Sequence, residues 1–181
     1  MAKNNYRSKR RAKGKNSEVI ASLKAHIKSR EPLPLYLFFG SETFLIDYYV
    51  GEIKKIVAGS DINGLNTVIF ENKVDINDII DACNTFPVFA DKKLVLVKNS
   101  QLFGKEKNKS AKSVGKDKDS KEADNSESDN KKQQILKDYF SVIPQTTCLI
   151  FIENNVDKRL GIYKQVVKYG LAAEFERLDA D

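Results

Sequence analysis

The stretch that decides the fold is Leu35-Tyr36-Leu37-Phe38-Phe39-Gly40, a run of five apolar residues that ends in a glycine. A continuous apolar run of this length is typical of a β-strand that is buried on both faces, as in a parallel sheet. It follows Glu31-Pro32-Leu33-Pro34, where each proline disfavours helix at the residue before it. The sequence therefore predicts a central strand at 35–39.

Strand and helix patterns alternate along the rest of the chain. After Gly40, Ser41 is a good N-cap residue, and the segment behind it carries apolar residues at helical spacing. Further strands are predicted at 67–70, 94–97, 148–152 and 173–175, and further helices at 17–29, after Asp75, at 135–143 and at 160–170. We expect Gly170 to end the last helix in the left-handed conformation. The alternation predicts an α/β fold, a five-stranded parallel sheet flanked by helices.

The charge of the chain is concentrated at its start. The 181 residues include 31 Lys and Arg and 25 Asp and Glu, and residues 1–16 hold seven of the basic residues and no acidic one. The other 165 residues are nearly neutral. This predicts a basic, flexible tail at 1–16 and a single domain at 17–178. The tail is interpreted as a solubilising extension, with weak, sequence-independent contact to DNA phosphates as the alternative.

One segment does not fit the alternation. Residues 104–132 contain nine Lys and seven Asp and Glu, with Ser and Asn between them and almost no apolar side chain. Such a segment cannot bury enough apolar surface to offset the entropy lost on ordering. It is predicted to be a disordered, charged insertion in a loop.

The composition argues against most enzyme classes. Cys83 and Cys148 lie in apolar stretches and no secretory leader is visible, so both thiols are expected to be buried and reduced in a cytoplasmic protein. No apolar run is long enough to span a membrane. With one histidine and two distant cysteines, no standard zinc site can be assembled, and a Ser-His-Asp or Cys-His arrangement would have to depend on His26 alone. We interpret His26 as an ordinary helix residue, with a catalytic role as the alternative. No metal or cofactor is expected.

The two positions at which this fold usually holds a nucleotide are altered. The turn after the first strand, at 39–45, has one glycine, no Gly-Lys-Ser/Thr, and Glu42 where a phosphate would be bound. The third strand leads into Lys98-Asn99-Ser100, without the Asp that would hold Mg²⁺. Together they favour a noncatalytic scaffold. An unusual nucleotide site stays as the alternative.

Three apolar residues, Phe86, Val88 and Phe89, surround Pro87 between a predicted helix and a charged strand entry, Asp91-Lys92-Lys93. Pro87 should stop the helix near Thr85 and hold the next residues extended. The residues alone favour a place in the core for these side chains. A surface cluster that binds a partner is the alternative.

Three stretches resemble a known family. They are 35–45 (LYLFFGSETFL), 85–99 (TFPVFADKKLVLVKN), and Val156-Asp157-Lys158-Arg159 with Tyr163-Lys164. In this order they resemble the N-terminal domain of the DNA polymerase III delta subunit, part of the bacterial clamp loader.

The resemblance implies an AAA+/RecA-like P-loop NTPase fold with a degenerate nucleotide site, and a noncatalytic role in DNA replication. It implies binding to the sliding clamp (the beta subunit) through a hydrophobic wedge formed by Phe86, Val88 and Phe89. Other implied partners are the delta prime and gamma/tau subunits of the loader, with DNA contacted weakly or indirectly. The family's lid and collar domains are expected to be absent here.

Arg159 is a possible contact to a neighbouring loader subunit. The alternative is that the charges at 156–159 solvate the start of the final helix. Two other classes of function remain alternatives for the whole chain: a nucleotide-binding or nucleotide-hydrolysing protein, and a nonspecific nucleic-acid-binding domain that uses the basic tail.

Overall fold

The structure, a computed structural model, describes residues 3–57, 59, 64–72, 74–104 and 133–176, with side chains from Asn16 onward. The elements in chain order are α1 (Lys3–Ser29), β1 (Leu35–Phe39), α2 (Thr43–Val57), β2 (Thr67–Glu71), α3 (Ile76–Asn84), β3 (Lys93–Lys98), α4 (133–139), β4 (Thr147–Glu153), α5 (Gly161–Tyr169) and β5 (Leu171–Glu174). The predicted insertion at 104–132 lies outside the described residues except for Gly104.

The five strands form one parallel sheet in the order β2-β3-β4-β1-β5. The register places Leu35 beside Leu149 and Tyr36 beside Leu171, so β1 lies between β4 and β5. Every residue of β1 is buried, as the continuous apolar run predicts. The predicted five-stranded parallel sheet is confirmed.

Alternate side chains of the sheet enter two separate cores, because neighbouring residues of a strand point to opposite faces. Leu37 and Phe151 lie on one face, under α3, α4 and α5. Phe38 and Ile150 lie on the other, under α1 and α2. The result is a sheet with helices on both faces.

The cysteines and the histidine occupy the kinds of position that the sequence predicts. Cys83 and Cys148 are buried free thiols, and burial raises the pKa of each to about 12, so neither is ionised near neutral pH. His26 is half-buried on α1, with Nδ1 3.4 Å from the hydroxyl of Tyr36. No helix in the described ranges is long and apolar enough to cross a membrane.

Helix α1 is longer than predicted, since it begins at Lys3 and not at Ser17. Residues 3–16, predicted as a flexible tail, therefore belong to the same helix as 17–29. Lys and Arg make up seven of the residues at 3–16, and both have high helix propensity although they form no apolar pattern. The amide of Asn16 also donates to the carbonyl of Glu174 over 2.8 Å, which attaches α1 to β5.

The ends of two helices also differ from the prediction. Helix α2 begins at Thr43, so Glu42 and not Ser41 directly precedes it. Gly170 follows α5 as expected, but its φ is −149° and not left-handed. A glycine is needed there because a Cβ atom would collide with the carbonyl of Leu35 in β1. The close approach of the chain to β1, and not the helix cap, explains this glycine.

Gly40 and Gly51 provide a matched test of the backbone. Gly40 has a φ of 123°, and a Cβ there would collide with the carbonyl of Phe175, whereas a Cβ on Gly51 in α2 would contact nothing within 4 Å. We expect Gly40→Ala to lower the free energy of unfolding by more than about 1 kcal/mol. Gly51→Ala should raise it by up to about 1 kcal/mol, through helix propensity. Urea unfolding of the wild type and both variants measures the two effects. Equal free energies of unfolding for Gly40→Ala and Gly51→Ala would contradict the prediction.

Candidate functional site

The wedge residues lie in the loop 85–92, between α3 and β3, and their side chains point into solvent. The exposed fraction is 80% for Phe86, 44% for Val88 and 100% for Phe89. The core placement favoured by the residues alone is therefore wrong. The arrangement implied by the family resemblance, with apolar side chains on the surface, is the one that the structure has.

Helix α3 starts and stops where the sequence predicts. The carboxylate of Asp75 accepts a hydrogen bond from the N–H of Asn77 over 2.9 Å and caps the start. At the other end, the N–H and hydroxyl of Thr85 both donate to the carbonyl of Asp81, over 3.1 Å and 2.8 Å. Pro87 follows two residues later, so the chain leaves the helix in a defined direction.

The last turn of α3 is also fixed to the sheet by two buried side chains. The amino group of Lys93, at the start of β3, donates to the carbonyl of Ala82. The hydroxyl of Thr147, at the start of β4, donates to the carbonyl of Cys83 over 2.7 Å. Burial lowers the pKa of the Lys93 amino group from its ordinary value. In its protonated form this amino group interacts favourably with the negative end of the helix dipole. The helix end that carries the wedge is thus held rigidly.

Within the loop, the backbone of Val88 is held by the carboxamide of Asn66. The N–H of Val88 donates to Oδ1 over 2.6 Å, and Nδ2 donates to the carbonyl of Val88 over 2.8 Å. Asn66 is buried and directly precedes β2. Sequence analysis missed this residue, because a single asparagine before a strand carries no signal that it will bond a loop 22 residues away.

The next residue, Phe89, has a φ of 53°, in the left-handed region that side chains other than glycine rarely adopt. The conformation costs a bulky residue roughly 1–2 kcal/mol. Lys92 also connects the loop to the rest of the domain, since its amino group donates a hydrogen bond to the carbonyl of Pro32 over 3.4 Å. The loop therefore holds a fully exposed aromatic ring on a constrained backbone.

At the opposite, carboxyl edge of the sheet, the turn that would hold a nucleotide is occupied by the chain itself. The N–H of Glu42, just before α2, donates to the carbonyl of Phe175 over 3.0 Å, and the N–H of Phe175 donates to the carbonyl of Phe39 over 2.7 Å. The carbonyl of Phe175 also lies directly against Gly40. A backbone N–H that a P-loop would offer to phosphate is thus already bonded within the protein.

The polar residues at the carboxyl ends of β2, β3 and β4 bond one another. Lys98 pairs with Glu71 over 3.4 Å, and the amide of Asn154 donates to Asn99 over 3.1 Å. Within the described ranges, no group of three or more His, Cys, Asp and Glu residues could hold a metal ion.

Glu153, the carboxylate that is buried at this edge among the described residues, closes the turn after β3. It accepts hydrogen bonds from the hydroxyl of Ser100 and from its N–H, the latter over 2.8 Å. The residues on either side of Ser100, Asn99 and Gln101, have φ values of 53° and 65°. Glu153 therefore stabilises a strained turn, which accounts for a buried carboxyl group at this edge.

Arg159 lies after β4, near the same edge. Its side chain is 74% exposed and binds the carboxylate of Asp157 through Nε and Nη2, over 2.9 Å and 2.7 Å. The neighbouring Lys158 pairs with Glu174 over 2.6 Å and lies 5.5 Å from the ring centre of Phe39. The structure thus supports a local role for both cations, with the guanidinium still accessible, and it leaves the subunit contact of Arg159 as a prediction.

The strand order β2-β3-β4-β1-β5 and the altered phosphate turn define the class, an AAA+-like α/β domain. Two solved structures share the fold. A Bacillus subtilis DNA clamp loader delta protein superposes with a TM-score of 0.68 at 21% identity, covering 88% of this chain and 43% of the other. A Thermotoga maritima DNA polymerase III gamma subunit-related protein gives 0.52 at 12% identity, covering 88% and 46%.

Two sequence comparisons match the same family. The family model for the DNA polymerase III delta subunit matches residues 36–116. DNA polymerase III subunit delta of Bacillus subtilis (strain 168) is 31% identical over 84 residues, which is 46% of this chain and 24% of the relative. The resemblance to the delta-subunit family is thereby confirmed. The chain spans about a quarter of the length of that relative.

The buried carboxyl of Glu153 predicts a specific pH dependence. Burial raises its pKa above the ordinary 4.5, and the hydrogen bonds from Ser100 lower it in part. The folded state therefore binds the proton more tightly than the unfolded state does. As pH rises above about 4.5 the unfolded carboxyl ionises first, so this group's contribution to the free energy of unfolding falls until the folded carboxyl has also ionised.

Glu153→Gln removes this titration. The stability of the variant relative to the wild type should increase as pH rises through that window and then stay constant. Urea unfolding between pH 4 and 8 measures the difference, with Glu18→Gln, an exposed position on α1, as the control. Parallel pH profiles for wild type and Glu153→Gln would contradict the prediction.

Proposed function

We propose that this chain acts as a clamp-loader delta subunit domain in DNA replication and that it binds the sliding clamp through Phe86, Val88 and Phe89. The observation that carries the proposal is the full exposure of Phe89 on a backbone that is held in place. Similarity to the delta-subunit family suggests the partner, because the matching Bacillus subtilis structure is a clamp loader delta protein.

The energetics of the wedge suit a small binding hot spot. Burying each of these side chains in a pocket of the partner is worth roughly 1.5–3 kcal/mol before the costs of association. Because α3 and the loop are already fixed, little conformational entropy remains to be lost on binding. A few aromatic and aliphatic anchors on a rigid support are typical of binding sites dominated by few residues.

The wedge would act by shifting the population of clamp conformations. If it binds a clamp with one loosened interface more tightly than a closed clamp, its binding energy favours the loosened form. No chemical step is required of this domain. In the assembled loader, partner subunits that use ATP would control when the wedge is accessible, and Arg159 is our candidate for a contact with such a subunit.

The domain is proposed to have no nucleotide chemistry of its own. The N–H of Glu42 is bonded to the carbonyl of Phe175, and Lys98 and Asn99 stand where a magnesium ligand would be needed.

ATP binding separates this proposal from the nucleotide-binding alternative. We expect calorimetric titration of the chain with ATP and Mg²⁺ to give no binding in the submillimolar range, because the phosphate site is occupied by backbone. Submillimolar binding, or hydrolysis that the purified chain retains, would contradict the proposal.

Clamp capture tests the wedge directly. We expect the chain to bind the cognate sliding clamp, and Phe89→Ala to weaken the binding by at least about thirtyfold, as loss of roughly 2 kcal/mol requires. Surface plasmon resonance with immobilised clamp measures both affinities.

Phe44→Ala is the matched control. Phe44 is 77% exposed but lies at the start of α2, at the carboxyl edge of the sheet, whereas the wedge lies beside the start of β3 at the amino edge. Its substitution should leave clamp affinity unchanged. Retained binding by a folded Phe89→Ala protein would remove the proposed site, and no binding by the wild type would remove the proposed function.

A further inference from the structure

Asn66 is bonded to the wedge loop in the way that one peptide group bonds another. Its carboxamide carries a donor NH2 group and an acceptor oxygen, and each makes a hydrogen bond to the backbone of the same residue, Val88, over 2.8 Å and 2.6 Å. Asn66 is 3% exposed, so its carboxamide is shielded from water. The carboxamide thus pairs with the N–H and the carbonyl of Val88, as the backbone of a neighbouring strand would within a sheet.

The residue after Val88 shows why such a support is needed. Phe89 has a φ of 53° and a fully exposed side chain. An exposed ring makes no packing contacts that could hold its own backbone in the left-handed region. The constraint must therefore come from the neighbouring backbone, where Val88 is fixed by Asn66.

We propose that Asn66 is a positioning residue for clamp binding: by fixing the backbone of Val88, it holds the loop so that Phe89 projects into solvent before the partner arrives. The inference rests on the proposed function for the identity of the partner. Only a carboxamide of this length serves both bonds. Aspartate would keep an acceptor for the N–H of Val88 but would place a second acceptor against its carbonyl.

Clamp affinity is the first test. We expect Asn66→Ala to weaken binding about tenfold, which corresponds to about 1.4 kcal/mol, and Asn66→Asp to weaken it to a similar extent. Asn154→Ala is the matched control, since Asn154 is an exposed asparagine bonded to Asn99 at the opposite edge of the sheet. Unchanged affinity in both Asn66 variants would overturn the inference even when Phe89→Ala abolishes binding and so supports the wedge.

A double-mutant cycle distinguishes positioning from a general effect on the fold. If Asn66 acts through Phe89, Asn66→Ala should cost less than about twofold in a Phe89→Ala background, because the ring to be positioned is gone. An equal loss in both backgrounds would mean that Asn66 supports the domain as a whole, and it would overturn the positioning role.

Hydrogen exchange tests the loop without any clamp. In the wild type the N–H of Val88 is bonded to a buried acceptor, so Asn66→Ala should speed its exchange by about tenfold or more. The amides of β3 should be unaffected, which also shows that the variant is folded. If Val88 exchanges at the wild-type rate, Asn66 does not hold the loop. Should the wild type fail to bind the clamp, the proposed function falls, and this experiment still decides the role of Asn66.

Discussion

At the end of α3, two consecutive carbonyl oxygens point toward the start of the sheet and need hydrogen-bond donors there. Lys93 of β3 and Thr147 of β4 supply them, from positions that are almost fully buried. An unpaired buried carbonyl would cost on the order of 1–3 kcal/mol, so the helix end and the two strands are bound together. The position of the wedge follows from this contact, because loop 85–92 begins where α3 ends and returns to the sheet at Lys93.

The two edges of the sheet differ in what their polar groups bond. At the carboxyl edge, the polar groups bond one another: Glu42 with Phe175, Ser100 with Glu153, and Asn99 with Asn154. At the amino edge, the polar groups serve to fix a loop whose apolar side chains face solvent. A domain of nucleotide-binding architecture is in this way arranged to offer an apolar surface at one edge and an internally bonded turn at the other.

The sequence predicted the fold well because the strands of this sheet are continuous apolar runs. Leu35–Phe39 and Cys148–Ile152 are runs of five apolar residues, which is a usual strand length and short for a helix, and the glycine and prolines near them mark the turns. Helix α1 was predicted too short, since Lys and Arg favour helix without forming an apolar pattern. Gly170 was expected to be a left-handed cap, whereas the close approach of Leu35 explains it, and such long-range contacts leave no mark in a local pattern.

The candidate site was predictable only in part for the same reason. Residues Phe86, Val88 and Phe89 can be read as core or as surface from composition alone, and the family resemblance decided between the two. The residues that hold them, Asn66 and Lys93, depend on contacts between distant parts of the chain. Lys93 in particular belongs to a charged triplet that suggests an exposed strand entry, while its amino group is in fact turned inward to the helix.

The separation of the two edges has an evolutionary consequence. The loop after α3 and the turn after β1 lie at opposite edges of the same sheet, so the length of the strands separates them. Mutations that alter the turn after β1 need not disturb the exposed apolar surface at the far end. A scaffold of this kind can give up one ligand and keep or acquire another, with the sheet between them unchanged.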